Sequence, residues 1–137
     1  MTLHLGYFEN FKGADTVLLS CDPVEVPPLR GVLADAMAKG VPFAIHDLAV
    51  VSARNPARLV LCPTGAPFRG LGGEFIWQLN HVEFASVDSK LEALEHVRAA
   101  HQYFDLDDSD VRLMVSVREY DEAWWHRWEF GNELHAG

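Results

Sequence analysis

From Thr16 to Cys21 the chain is largely apolar on both of its alternating sets, Val17, Leu19 and Cys21 on one side and Thr16, Leu18 and Ser20 on the other. Successive side chains of a strand point to opposite faces, so this segment reads as a central strand covered on both sides. That requirement constrains the fold more than any other feature, because every neighbouring element has to supply cover.

Several elements follow from periodicity. Leu3, Leu5 and Tyr7 alternate with His4, Gly6 and Phe8, which predicts a first strand, with Asn10 to Asp15 as the turn into the second. Leu29, Val32, Leu33, Ala36 and Met37 fall on one helical stripe, with Pro27 and Pro28 suited to a first turn and Gly40 to the residue past the end. Val41, Phe43 and Ile45 resume strand alternation, leaving His46 on the other face, and Arg58 to Cys62 form another short strand.

Residues 63–73 hold two Pro and four Gly and predict a loop. The run Glu74 to Ala85 is long for one strand, and its apolar phase changes parity between Leu79 and Val82, which predicts a bulge or tight turn at Asn80-His81. Ser89 and Glu92 have capping-box spacing, so a second helix is expected to start there, with Leu91, Leu94, Val97, His101 and Phe104 inward. Val111, Leu113, Val115 and Val117 then alternate as a last, half-buried strand.

The expected fold class is α+β: a mainly antiparallel sheet of five to six strands with two amphipathic helices on one face, and a ferredoxin-like βαββαβ core as one arrangement this order permits. Residues 1–118 are expected to form a single domain, followed by a Trp-rich tail over 119–137.

Eleven Lys and Arg face twenty Asp and Glu, for a formal charge of −9, and no basic run occurs. Nucleic acid is therefore not an expected partner, since phosphate binding depends on clustered positive charge. A basic protein partner would suit the acidic surface. No apolar run approaches the roughly 20 residues that span a bilayer. No early segment joins a basic start to an apolar stretch, so export is not expected and the cytoplasm is the predicted location. Cys21 and Cys62 each fall in a strand and read as buried thiols, and no cofactor is implied.

Candidate chemistry is sparse. His81 and Glu83 lie two apart on the expected long strand, where they would share a face as a proton acceptor and its orienting carboxylate. His46 would join them only if their strands were neighbours, and no metal-binding spacing is present to support a metal site. Arg69 precedes Gly70-Leu71-Gly72-Gly73 and could hold an anion, although no helix follows to lend its amides. The acidic run Asp105 to Asp110 lacks the Gly and Glu of a calcium loop, and Cys62 would need a nearby His or helix start to become a nucleophile.

The segment from Tyr120 to Phe130 packs five aromatic residues into eleven. On a helix Tyr120, Trp124 and Trp128 form one stripe with Trp125 close by, and such rings need a surface to bury against: the chain's own sheet or a second subunit. The leading expectation is a non-catalytic binding module that self-associates as a homodimer through Tyr120, Trp124, Trp125 and Trp128. One alternative is a small enzyme or ligand-binding protein with a pocket near His81, Glu83, His46 and the loop 63–73. A second is an inhibitor or immunity-type protein that covers a basic partner.

Overall fold

The computed structural model describes residues 3–107 and 110–129, the side chains of Trp128 and Glu129 excepted. Among these residues lie eight strands in two sheets, two long helices and a short third helix. The first sheet runs in the order β4 (Val50–Val51), β1 (His4–Phe11), β2 (Ala14–Cys21), β8 (Val111–Val117), β7 (Ala100–Asp105), and the second in the order β3 (Phe43–Ala44), β5 (Leu59–Pro63), β6 (Phe75–Leu79).

Both sheets are mixed, which corrects the expectation of one mainly antiparallel sheet of five to six strands. β1–β2, β7–β8 and β3–β5 are antiparallel, whereas β2–β8, β1–β4 and β5–β6 are parallel. The antiparallel βαββαβ order is not the one observed. Alternation reveals that a segment is a strand but carries nothing about which strand it will meet, and β2 meets β8 only after the chain has passed through two helices and the second sheet.

β2 lies between β1 and β8, covered on both faces. Val17, Leu19 and Cys21 belong to the main core, together with Leu113, Val115 and Val117 of β8. Onto that face pack α1 (Val26–Lys39), through Leu29, Leu33, Ala36 and Met37, and α2 (His81–Ala93), through Val87 and Leu91. On the opposite face Leu18 and Met114 join Phe8, Phe11 and Trp125, the last from α3 (Glu122–Glu129). The hairpin joining β1 to β2 turns tightly at Lys12 and Gly13, both with positive φ, as a two-residue turn between twisted strands demands.

α1 occupies the predicted span and ends at Gly40 with φ +67°, its N–H reaching back to Ala36 and Met37. α2 starts eight residues before the predicted Ser89. Its cap is Asn80, whose side chain accepts the Glu83 N–H at 2.7 Å while the Glu83 carboxylate accepts the Asn80 N–H at 2.9 Å. The parity change between Leu79 and Val82 therefore marks a change of period from strand to helix, not a bulge. The stripe read as one helix divides: Leu91 closes α2, Leu94 sits in a following 3-10 turn, and His101 and Phe104 belong to β7.

The second sheet shares the same core through Leu59, Leu61, Trp77 and Leu79. Cys21 and Cys62 are buried free thiols. Among the described residues no helix is long and apolar enough to cross a membrane.

Arg30 ties the two long helices together. Its guanidinium donates to Asp88 at 2.8 and 2.9 Å, to Glu92 at 3.0 Å, and to Glu95. The hydrogen bonds from Arg30 hold the Asp88 carboxyl below its usual range, against the opposing effect of burial. A lowered carboxylate pKa stabilises the fold above the unfolded value of about 3.9, and that contribution is lost as pH falls through the folded value. Arg30→Met should therefore cost about 1 kcal/mol at neutral pH, a modest figure because the cluster is partly solvated. Urea unfolding followed against pH should show the gap from wild type closing below about pH 4.

Candidate functional site

The residues singled out in the sequence separate into two places. His46 sits in a 3-10 turn over Ile45–Asp47, where its Nδ1 accepts the Leu59 N–H at 3.1 Å. It lines a cleft of about 320 Å³ together with Arg58, Arg69, Gly70 and Glu74. His81 and Glu83 do not join it. They occupy the exposed first turn of α2 and not a strand, and the Glu83 carboxylate is engaged in the helix cap, lining a different groove. Among the described residues no group of three or more His, Cys, Asp or Glu is placed to hold a metal ion. Asp108 and Ser109 of the acidic turn lie outside the described residues.

The glycine-rich loop does embrace an anion, and the anion is the chain's own. Glu74 is half-buried as a residue, with its side chain 6% exposed, and accepts the Leu71 N–H at 2.8 Å and the Gly72 N–H at 3.2 Å, with Arg58 Nη1 at 3.9 Å. A Cβ on Gly70 would stand 1.9 Å from Glu74 Oε2, so no larger residue fits there without displacing the carboxylate. A carboxylate buried with matched donors is stable; one deprived of them is costly.

Neither thiol is poised for attack. Burial, then Glu25 and Asp22, push the Cys21 thiol up to about 12. Burial, then Asp107, raises Cys62 as well. Nucleophilic chemistry uses the thiolate, which these surroundings disfavour at neutral pH.

The main concentration of polar side chains lies on the face of the first sheet that α3 crosses. His4, Ser20, Ser116 and His101 stand opposite one another on β1, β2, β8 and β7, forming one rung across four strands. Each histidine meets a glutamate that follows β8, Glu119 from the connecting turn and Glu122 from the first residue of α3. His4 Nε2 lies 2.9 Å from Glu122, and His101 Nδ1 lies 2.9 Å from Glu119, which also accepts the Ser116 hydroxyl. The turn begins at Arg118, at φ +57°, whose N–H donates to the Cys21 carbonyl at 3.2 Å. A cleft of about 330 Å³ opens here, at the carboxyl ends of the parallel pair β2 and β8, lined by His4, Ser20, Asp22, Arg118, Tyr120 and Asp121 among others.

Next to the rung lies a layer of rings. Trp125 is buried, stacked on the His4 ring with centroids 5.3 Å apart, and its Nε1–H donates to Ser20 Oγ at 2.7 Å. Gly6 lies beneath it: a Cβ there would come within 3.0 Å of the indole. Tyr120 and Trp124, half-buried and 4.7 Å apart, pack on Phe11 and Phe8. Burial, Glu119 and Tyr103 push the Tyr120 phenol up to about 12, so it stays protonated. Beyond Tyr120, the guanidinium of Arg112 lies 4.3 Å from the ring of Tyr103, which is 38% exposed, and donates to the Phe11 carbonyl at 2.8 Å.

The rung was not legible as a motif, because its four members are spread over 98 positions and meet only through strand order. Two signals were available: a serine one residue before the end of each of two apolar strands, and a glycine inside the first strand, a common mark of close approach. No protein-family model, curated protein or solved structure matches this chain.

Trp125→Phe keeps the ring but removes the donor to the buried Ser20 hydroxyl, and should cost roughly 1–2 kcal/mol in denaturant unfolding. Gly70→Ala should cost no more than about 1 kcal/mol, since the Glu74 carboxylate that it displaces ends a flexible side chain beside an exposed loop, and the loss should shrink in the double variant with Glu74→Gln.

Proposed function

We propose that this chain is a small, acidic, non-catalytic binding module that associates with a second copy of itself through the α3 face of its first sheet. The observation that carries the proposal is the half-exposed group of Trp124, Tyr120, Arg112 and Tyr103, in which Trp124 meets Tyr120 at a tilt and the Arg112 guanidinium lies over the Tyr103 ring, beside a buried layer of Phe8, Phe11 and Trp125. Trp, Tyr and Arg dominate the residues that carry binding energy at protein contacts, and rings already fixed in place lose little further freedom on association.

The contact surface differs from the four residues expected. Trp125 is turned into the protein's own sheet, so its part is to hold Trp124 in position, and the Trp128 side chain lies outside the described residues. The residue types that enzymes use are engaged in the fold: His4 and His101 with glutamates, Glu83 in a helix cap, and His46 with the Leu59 amide. A reducing compartment such as the cytoplasm suits the two buried thiols.

A basic protein partner is the second reading. Exposed Glu83, Asp105 and Asp107 line one groove with Lys90 as its single basic residue.

Sedimentation equilibrium on the whole chain at micromolar concentration should give the mass of a dimer. Trp124→Ala should raise the dimer dissociation constant by tenfold or more, and Trp124→Phe should restore much of it, with the circular dichroism of both matching wild type. A monomer at about 100 μM with its near-ultraviolet aromatic signal intact would remove the self-association reading.

A further inference from the structure

We infer that the groove between the edge strands of the two sheets takes an extended, basic segment of another protein as an added strand. β6 ends one sheet and β7 ends the other, and the chain leaving β7 crosses to β6 through the Asp107 N–H, which donates to the Ile76 carbonyl at 2.9 Å. The Trp77 and Phe104 rings, with centroids 5.3 Å apart, also join the two edges, and beside these contacts the edges part. The opening is a groove of about 370 Å³.

Trp77, Gln78 and Leu79 of β6 line one side of the groove, and Tyr103, Phe104 and Asp105 of β7 the other. Consecutive residues of a strand alternate between its faces, so three in a row can border the same space only if that space lies along the strand's edge. Edge groups are the natural template for a further strand. β7 is six residues long and holds neither Pro nor Lys, so it lacks two common guards of an edge. β4 and β3, the outer strands at the far ends, are two residues each and offer no such template.

Charge selects the occupant. Glu83, Asp105 and Asp107 border the groove, and the single opposing cation, Lys90, lies 5.7 Å from the centroid of the Phe104 ring. A segment alternating Lys or Arg with apolar residues would set its cations among these carboxylates and its apolar side chains against the exposed ring of Tyr103, with its backbone bonded to the edge of β7, while Trp77, Leu79, Val87 and Phe104 lie buried beneath as the floor. The groove shares Tyr103 with the self-association face, whereas Trp124 belongs to that face alone.

The test uses the whole chain and a synthetic peptide, acetyl-Lys-Val-Lys-Val-Lys-Val-Lys-amide. Titration followed by amide NMR should move the resonances of residues 77–79 and 103–107. Affinity should fall at least tenfold for the double variant Asp105→Lys with Asp107→Lys, and rise several-fold for Lys90→Glu. A peptide of the same charge methylated on alternate backbone nitrogens should lose binding, because it can no longer donate to an edge. Equal binding of the methylated peptide, shifts confined to other surfaces, or no shifts at millimolar peptide would each overturn the inference. Trp124→Ala should bind the peptide like wild type, so failure here and failure of self-association are distinguishable.

Discussion

Leu18 has no exposed surface, and neither do Val17 and Leu19 on either side of it. A strand apolar on both faces needs a layer above and a layer below, and two helices on one side cannot provide both. α1 and α2 cover the odd-numbered side of β2, and the even-numbered side would stand open without the rings of α3. Much else follows from this demand. Gly6 has no side chain because the indole of Trp125 needs the room, and the turn at Arg118 takes a left-handed conformation to send the chain back over the sheet. Glu119 of that turn and Glu122 at the start of α3 fasten to histidines on strands either side of the β2–β8 pair.

The legibility of each element depended on whether its determinants were local. α1 could be read because its stripe, its prolines and its terminal glycine all lie within one stretch and agree. α2 could not be placed by the same logic. Its cap is Asn80 with Glu83, an Asx form of the box, and it follows a strand with no intervening loop, so the change of period resembled an irregular strand. Ser89 and Glu92 have the spacing of a capping box but lie in the second half of the helix, far from the first-turn amides that a box would cap. Spacing is necessary for a cap, but only a chain end in the right place makes it one.

The residues that looked chemical fared differently from the residues that are brought together. His81 and Glu83 were chosen for proximity in sequence and His46 for its place on a strand face, but His46 lies in a separate cleft and the start of α2 turns Glu83 back on its own backbone. Arg69 and His46 do share a cleft, beside a loop whose amides are occupied by Glu74. The denser cluster, His4, Ser20, Ser116 and His101, needed the strand order before it could be seen, and strand order is a property of the whole chain. Polar groups buried in an apolar sheet are tolerated only when paired, and here the pairing comes from the same segment that carries the aromatic cover. Cover and satisfaction of the polar rung thus form one device, in which losing either loosens the other.

The same geometry decides which surfaces remain for recognition. Burying Trp125 removes one indole from the exterior and in doing so fixes the inclination of Trp124 and Tyr120, so the outer rings present a defined shape instead of a mobile apolar tail. At the other side of the first sheet, β7 was expected to be helix, and its being a strand is what creates an edge facing β6. A helix there would have satisfied its own backbone and left no template. Net charge then acts differently on the two surfaces. Two copies of a chain at −9 repel at long range, so a contact between them must rely on short-range packing of rings, whereas a basic strand is drawn toward the carboxylates before any backbone bond forms. On the two proposals the aromatic face would take a like partner and the β7 edge an unlike one, with Tyr103 common to both.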